Sequence, residues 1–254
     1  MAPRVIFLMA DYGHDPTETA IPWKAFHDAG FNTSFATEHG KPANADEKML
    51  SGITGTLLGA TKAAKAAYQE LIKTPDFQNP LSWAAEDFTL DDYDLVFLPG
   101  GHEKGVRQII DSAKVHKLLE SYFPKTKKPS NKSVAAICHG VQVLATASRE
   151  DGKSVIHEAE TTALLHNMEQ GIFHATRLFL GDYYKTYGAG SPSVQKTVTD
   201  RLQNPSQFKS SLSLSPFIVE DPNYNYLSAR FPGDAELLAS KAVEMVSSAV
   251  KSSL

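Results

Sequence analysis

Apolar residues fall along this chain in short unbroken runs, set between longer stretches where they recur every three or four positions. Val5-Ile6-Phe7-Leu8-Met9, Leu95-Val96-Phe97-Leu98 and Val134-Ala135-Ala136-Ile137 are such runs, the pattern of strands buried on both faces. Residues 31–37 alternate and are rich in β-formers, which predicts another strand. Between the first two strands, Thr17 is placed to cap a helix reaching Ala29, with Gly30 ending it. Further helices are predicted over 61–73, about 106–122 and 139–147, with a helical, loop-rich stretch over 159–203. Ser154-Val155-Ile156 reads as a short strand, and Phe217-Ile218-Val219 with residues 226–230 as a late β pair. Asp234 opens a final helix with Leu238, Ala242, Met245 and Ala249 on one face. Alternating strands and helices imply an α/β fold, a mostly parallel sheet covered on both faces. In such sheets sites form beyond the carboxyl ends of the strands.

Length and composition set bounds on this picture. The chain has 254 residues, 42% of them hydrophobic, enough for a full-sized core, and no Gly/Ser- or Pro-rich linker divides it. Residues 1–254 are therefore read as a single domain, with insertions near 38–92 and 171–215. A net charge of −4 with dispersed Lys and Arg gives no phosphate-tracking stripe, which argues against a nucleic-acid partner. No apolar run nears the roughly 20 residues of a spanning helix and no basic amphipathic stretch is present, so no membrane partner is expected. The amino end enters an apolar strand without a secretory n-region, and the single cysteine can form no internal disulfide. A cytoplasmic location follows as the expectation; Ser252-Ser253-Leu254 departs from the Ser-Lys-Leu peroxisomal address at its middle position.

Two strand ends stand out chemically. Cys138 lies where a buried strand must reverse into a helix, which holds a side chain up at the sheet top as in the nucleophile elbow of hydrolases. The helix amino terminus favours thiolate there, and His139 adds an imidazole at the next position. A lone cysteine is more often a small buried hydrophobe; the strand–Cys–His–Gly–helix context argues for a nucleophile. Gly100-Gly101 follows another strand end, either as a tight turn or as free amides forming an oxyanion hole opposite Cys138. Glu18, in the first helical turn, either satisfies a helix dipole or aims a protonated carboxyl at the thiol. Trp23, Trp83, Tyr183, Tyr184 and Tyr187 are core residues or pocket walls. His14, His102, His139 and His166 lack a ligand spacing, so no metal is expected.

These elements together resemble the ThiJ/PfpI superfamily. The matching stretches are Glu18-Thr19-Ala20-Ile21-Pro22-Trp23, Leu98-Pro99-Gly100-Gly101-His102, Ala135-Ala136-Ile137-Cys138-His139-Gly140 and Ser228-Ala229-Arg230-Phe231-Pro232-Gly233-Asp234. The resemblance implies a flavodoxin-like, doubly wound fold, with Cys138 as nucleophile, Glu18 hydrogen-bonded to it and His139 as partner base. It also implies an oxyanion hole at the Gly101 and His139 amides, where Gly100 and His102 stand with Gly101 as oxyanion or substrate-binding candidates, and an acidic residue orienting the histidine. Glu169 is first in line for that role, with Glu158, Glu160 and Glu103 behind it. The chain departs from many relatives after Gly101, reading His102-Glu103-Lys104-Gly105 where a glycine often follows the histidine, and in its longer 171–215 stretch. The implied activity is glyoxalase III-like conversion of a 2-oxoaldehyde to a 2-hydroxy acid by a homodimer, without cofactor, on a small-molecule substrate. Repair of carbonyl-modified proteins, hydration or hydrolysis of a specialised metabolite such as an isocyanide, and a stress holdase or redox sensor stay open beside it.

Overall fold

The computed structural model describes residues 2–57 and 59–252; the last two residues of the carboxyl-terminal tripeptide lie outside them. Among the described residues nine strands form: β1 (Arg4–Leu8), β2 (Tyr12–His14), β3 (Asn32–Thr37), β4 (Asn44–Ala45), β5 (Leu81–Ser82), β6 (Leu95–Leu98), β7 (Ser133–Ile137), β8 (Ile218–Glu220) and β9 (Tyr226–Ala229). Seven of them make one sheet in the order β5-β3-β1-β6-β7-β9-β8, while β2 and β4 pair separately. Every pairing in the large sheet is parallel except β8 with β9.

The apolar runs explain the layering. Along β1, Ile6 and Leu8 enter one buried cluster and Val5 and Phe7 the other; β6 and β7 divide their residues in the same way. One face is covered by the first helix (Pro16–Asp28), the helix Lys62–Leu71 and the final helix (Ala235–Ser252), through Trp23, Phe26, Leu71, Leu238 and Val246. The other face carries the helices Ala113–Tyr122, His139–Thr146 and Val194–Thr199. This is the doubly wound α/β architecture expected. It brings the carboxyl ends of β1, β6 and β7, which lie side by side, to one edge of the sheet.

Local departures from the expected pattern have identifiable causes. Asp15 rather than Thr17 caps the first helix, its carboxylate accepting from Thr17 N and Glu18 N with Pro16 at the first helical position. The single helix expected over 106–122 is broken at Asp111-Ser112, where Ser112 caps a fresh start. Ser154-Val155-Ile156 forms only an isolated bridge from Ser154 to Ser148, and its apolar pair serves the core from a turn. In the final helix the buried stripe is Leu238, Ala239, Ala242 and Val246, with Met245 and Ala249 half-buried. No helix among the described residues is long and apolar enough to cross a membrane.

Candidate active site

Cys138 stands between β7 and the helix His139–Thr146 with φ 56° and ψ −121°, the one non-glycine residue at positive φ among those described. Such a conformation costs on the order of 1–3 kcal/mol and persists only where the surroundings enforce it. Here Cys138 N donates to Ala229 O on the neighbouring strand at 3.0 Å, and Cys138 O receives Val141 N at 3.3 Å. Gly140 completes the elbow: a Cβ there would fall 2.1 Å from Leu98 O, so only glycine lets this helix begin against the end of β6.

The turn after β6 meets the elbow and the first helix at once. A Cβ on Gly100 would lie 2.6 Å from Glu18 Oε2 and 2.8 Å from His139 N. Gly100 N donates to Glu18 Oε2 at 3.0 Å, and Gly100 O accepts from Asp15 N at 2.9 Å. The Gly100 amide is thus spent on Glu18, a correction to its expected place in an oxyanion hole. Gly101 does line the cavity above the thiol.

Electrostatics at this floor differ from the helix-terminus argument. Burial holds the Glu18 carboxyl well above its ordinary range, the Asp15 charge adds to the rise, and the Gly100 N–H and Cys138 thiol oppose it. Burial also pushes the Cys138 thiol well up, helped by the Asp15 charge, and by Glu18 whenever that carboxyl is ionised, and opposed by the His139 amide. With Cys138 only 6% exposed, desolvation outweighs the half-charge of the helix end. Burial thus works toward the neutral form of both groups, against the helix-terminus argument for a thiolate, and leaves Cys138 buried rather than exposed.

His139 is buried, and burial, with the charges of His102 and Lys185, lowers its pKa to about 3, so the ring is neutral at pH 7. Its Nδ1 lies 3.3 Å from Cys138 Sγ and its Nε2 2.9 Å from Thr186 Oγ1. Thr186 Oγ1 donates its one proton to the carbonyl oxygen of His102 at 2.8 Å. It must therefore accept from His139, which places the imidazole proton on Nε2 and leaves Nδ1 as a bare acceptor facing the thiol.

Thr186 belongs to a strap over residues 182–187 that touches most parts of the site. Asp182 pairs with Lys104 at 2.8 Å, and Tyr183 donates its hydroxyl to Asp46. Tyr184 stacks on His102 at 4.4 Å, and Tyr187 donates to Asp111 at 2.6 Å. Lys185 donates to Glu169 Oε1 at 2.6 Å, a pair almost wholly removed from water. Glu169 Oε2 accepts from Val194 N at 2.9 Å. Both oxygens of Glu169 are committed, and the far side of His139 is occupied by Thr186, so Glu169 does not orient the histidine. Glu158 binds Arg149, Glu160 binds Lys209 and Glu103 binds Gly105 N, none of them near His139 in bonding terms. The orienting group is a hydroxyl.

A cavity of about 370 Å³ opens over these groups, with Asp15, Glu18, Cys138, His102, Glu169 and Tyr184 in its walls. Of the five aromatics weighed as pocket walls only Tyr184 lines it; Trp23 and Trp83 are core, the latter donating its indole N–H to Met9 O. The histidines do not gather: the one metal-compatible group among the described residues is Asp11, Glu38 and His39. Gln108 Nε2 already donates to both of those carboxylates.

The sequence profile described as ThiJ/PfpI family-like matches residues 9–216. The chain belongs to the ThiJ/PfpI-like family. An uncharacterized Schizosaccharomyces pombe protein is 27% identical to this ThiJ/PfpI-like chain over 247 residues, covering 97% of it and 85% of the relative. A glutathione-independent glyoxalase of the same yeast is 25% identical over 152 residues, 58% of each chain. Among solved structures, glyoxalase III from Candida albicans superposes with a TM-score of 0.68 at 16% identity, covering 96% of this chain and 97% of its own. Drosophila melanogaster DJ-1beta gives 0.55 at 17% identity, with 99% and 97% covered. These structural likenesses establish the fold.

Proposed function

We propose that this ThiJ/PfpI-like protein is a cofactor-independent cysteine enzyme that isomerises and hydrates a 2-oxoaldehyde to a 2-hydroxy acid. The observation that carries the reading is the bare Nδ1 of a neutral His139 facing the Cys138 thiol at the floor of a ligand-sized cavity. The glyoxalases among its relatives support the same class of chemistry.

Because burial favours the neutral thiol, attack is coupled to proton transfer. Sγ of Cys138 bonds to the aldehyde carbon while its proton passes to Nδ1 of His139 and on to the aldehyde oxygen, giving a hemithioacetal. His139 then takes the proton from that carbon, and the ketone oxygen is protonated, with Glu18 as the neutral acid at hand, forming an enediol. His139 returns its proton to the former ketone carbon while the hydroxyl on the sulfur-bearing carbon gives its proton back to Glu18, which yields a thioester and restores both groups. That carbon is reduced as the aldehyde carbon is oxidised, so no external redox partner enters. Water cleaves the thioester, releasing the 2-hydroxy acid and restoring the thiol. The Gly101 and His139 amides are the donors proposed for the transient oxyanions.

Turnover of methylglyoxal and phenylglyoxal, followed by loss of the dicarbonyl and by chiral detection of the acid, tests the reading. Cys138→Ala should retain less than about a tenth of the rate, a barrier change above roughly 1.4 kcal/mol. A wild-type protein that turns over no dicarbonyl sinks it. Exposed Leu178, Phe179, Leu212 and Leu214 favour a second reading as a holdase. Suppression of client aggregation that Cys138→Ala leaves unchanged would select that one.

A further inference from the structure

The walls of the cavity carry information about what it accepts. Its polar lining comes mainly from the sheet ends and the first helix: Asp15, Glu18 and Cys138. Its apolar lining comes from segments laid over them: Met49 from the helix Glu47–Leu50, Ile172 from the helix His166–Leu180, Leu164, Tyr184 of the strap and Phe231 after β9. No Lys or Arg is among the lining residues described. Two buried cations sit on neighbouring elements, and both are already neutralised. Lys185 is held by Glu169, and Arg230 by Asp234 together with the carbonyls of Ser211, Ser213 and Ser215. Lys48, next to the lining Met49, stays outside the wall, with its ammonium over the Tyr183 ring at 4.6 Å. The cavity therefore offers carboxyl oxygens and apolar surface, without a cation in its wall.

From this we infer that the cavity admits uncharged carbonyl compounds carrying an apolar group larger than methyl and turns anionic ones away. An anion moved from water into such a site loses hydration and gains no counter-charge, and beyond the two amides proposed to receive the reacting oxygen nothing in the wall offsets that cost. Asp15 adds to the barrier at neutral pH: burial raises it only to about 6, so it is charged at pH 7. Size points to the apolar group. A volume of 370 Å³ corresponds to about a dozen waters at ~30 Å³ each, several times what the five heavy atoms of methylglyoxal displace. Burial of a larger apolar group against Met49, Leu164, Ile172 and Phe231 adds roughly 25 cal/mol for each Å² covered.

The substrate side of this inference rests on the function proposed above; the charge selection does not. The single cysteine lets it be tested without turnover. Cys138 is alkylated with neutral iodoacetamide and with anionic iodoacetate of nearly the same size, each rate divided by that of a small free thiol at equal ionisation. The expected normalised ratio is at least tenfold in favour of iodoacetamide. Ile172→Lys, which places a cation in the wall, should bring it toward unity. A ratio near one in the wild type overturns the inference. So does failure of both reagents to label Cys138 at a pH that ionises it, when the thiol titrates fully on unfolding, because the cavity would then admit neither. In the turnover arm, phenylglyoxal should exceed methylglyoxal in kcat/KM by about tenfold, and 4-carboxyphenylglyoxal should fall at least tenfold below phenylglyoxal. A preserved alkylation ratio with no dicarbonyl turnover would discard the proposed reaction and leave the charge selection standing.

Discussion

Thr186→Val is the sharpest test of how the histidine is set. Valine matches threonine in shape but cannot relay between His139 Nε2 and the His102 carbonyl, which sit 2.9 and 2.8 Å from the hydroxyl. The imidazole then has two options. It keeps its proton on Nε2, buried without an acceptor, at a cost of about 1–3 kcal/mol. Or it moves the proton to Nδ1 and points a donor at the thiol, where an acceptor is needed. Either way the reactive tautomer is disfavoured by about 2 kcal/mol, which corresponds to a roughly 30-fold fall in kcat/KM. Stability should drop by a similar amount, lowering Tm by about 4–8 °C for a chain of this size. Thr186→Ser supplies the control, since it restores the hydroxyl without the methyl group and should recover most of the rate. ¹⁵N chemical shifts of His139 read the tautomer directly, a signal that a merely structural role for Thr186 would leave alone. A valine variant keeping more than a third of wild-type kcat/KM, or wild-type ¹⁵N shifts in that variant, would refute the tautomer argument.

Other consequences can be checked with simpler measurements. Because Cys138 sits at φ 56°, Cys138→Gly should be more stable than Cys138→Ala by about 1 kcal/mol, the reverse of the usual order, in chemical denaturation. Asp15 has its pKa raised by burial from 3.8 to about 6, so its protonated form favours folding below pH 4 and that contribution is lost as pH rises through about 6. Asp15→Asn keeps the cap acceptor, and its stability advantage over wild type should grow by about 3 kcal/mol across that window and then level off; a constant difference would contradict the burial argument. Glu169→Gln leaves the Lys185 charge buried without its partner and should cost about 3–5 kcal/mol of stability. Unchanged melting of that variant would show the pair to be solvated.

The sheet was readable because its strands are buried on both faces, and such strands announce themselves as runs like Val5-Ile6-Phe7-Leu8. The elbow was readable because chemistry and punctuation coincide within Cys138-His139-Gly140. The cap at Asp15 was written in the following Pro16, a signal that points past Thr17. Thr186 carried no such mark: a threonine among tyrosines in an irregular stretch has no periodicity, and its role comes from a contact 47 residues away in the chain. Glu169 was misassigned for a related reason. A carboxylate suits either an imidazole or an ammonium group, and only the chain path decides that Lys185 reaches it first. The upward pull of burial on the Cys138 thiol depends on depth, which spacing along the chain does not encode.

The strap over residues 182–187 ties together properties that are usually separable. Tyr184 forms part of the wall that a substrate would meet, while Thr186, two residues on, fixes the proton on His139. A change in the length or path of this hexapeptide would alter the cavity and the base in one event. Relatives that differ here would then diverge in what they accept and how fast they turn it over together, rather than trading one against the other by separate mutations. For engineering, the strap is better exchanged whole than edited residue by residue, with His102, Asp46 and Glu169 carried along as its docking points.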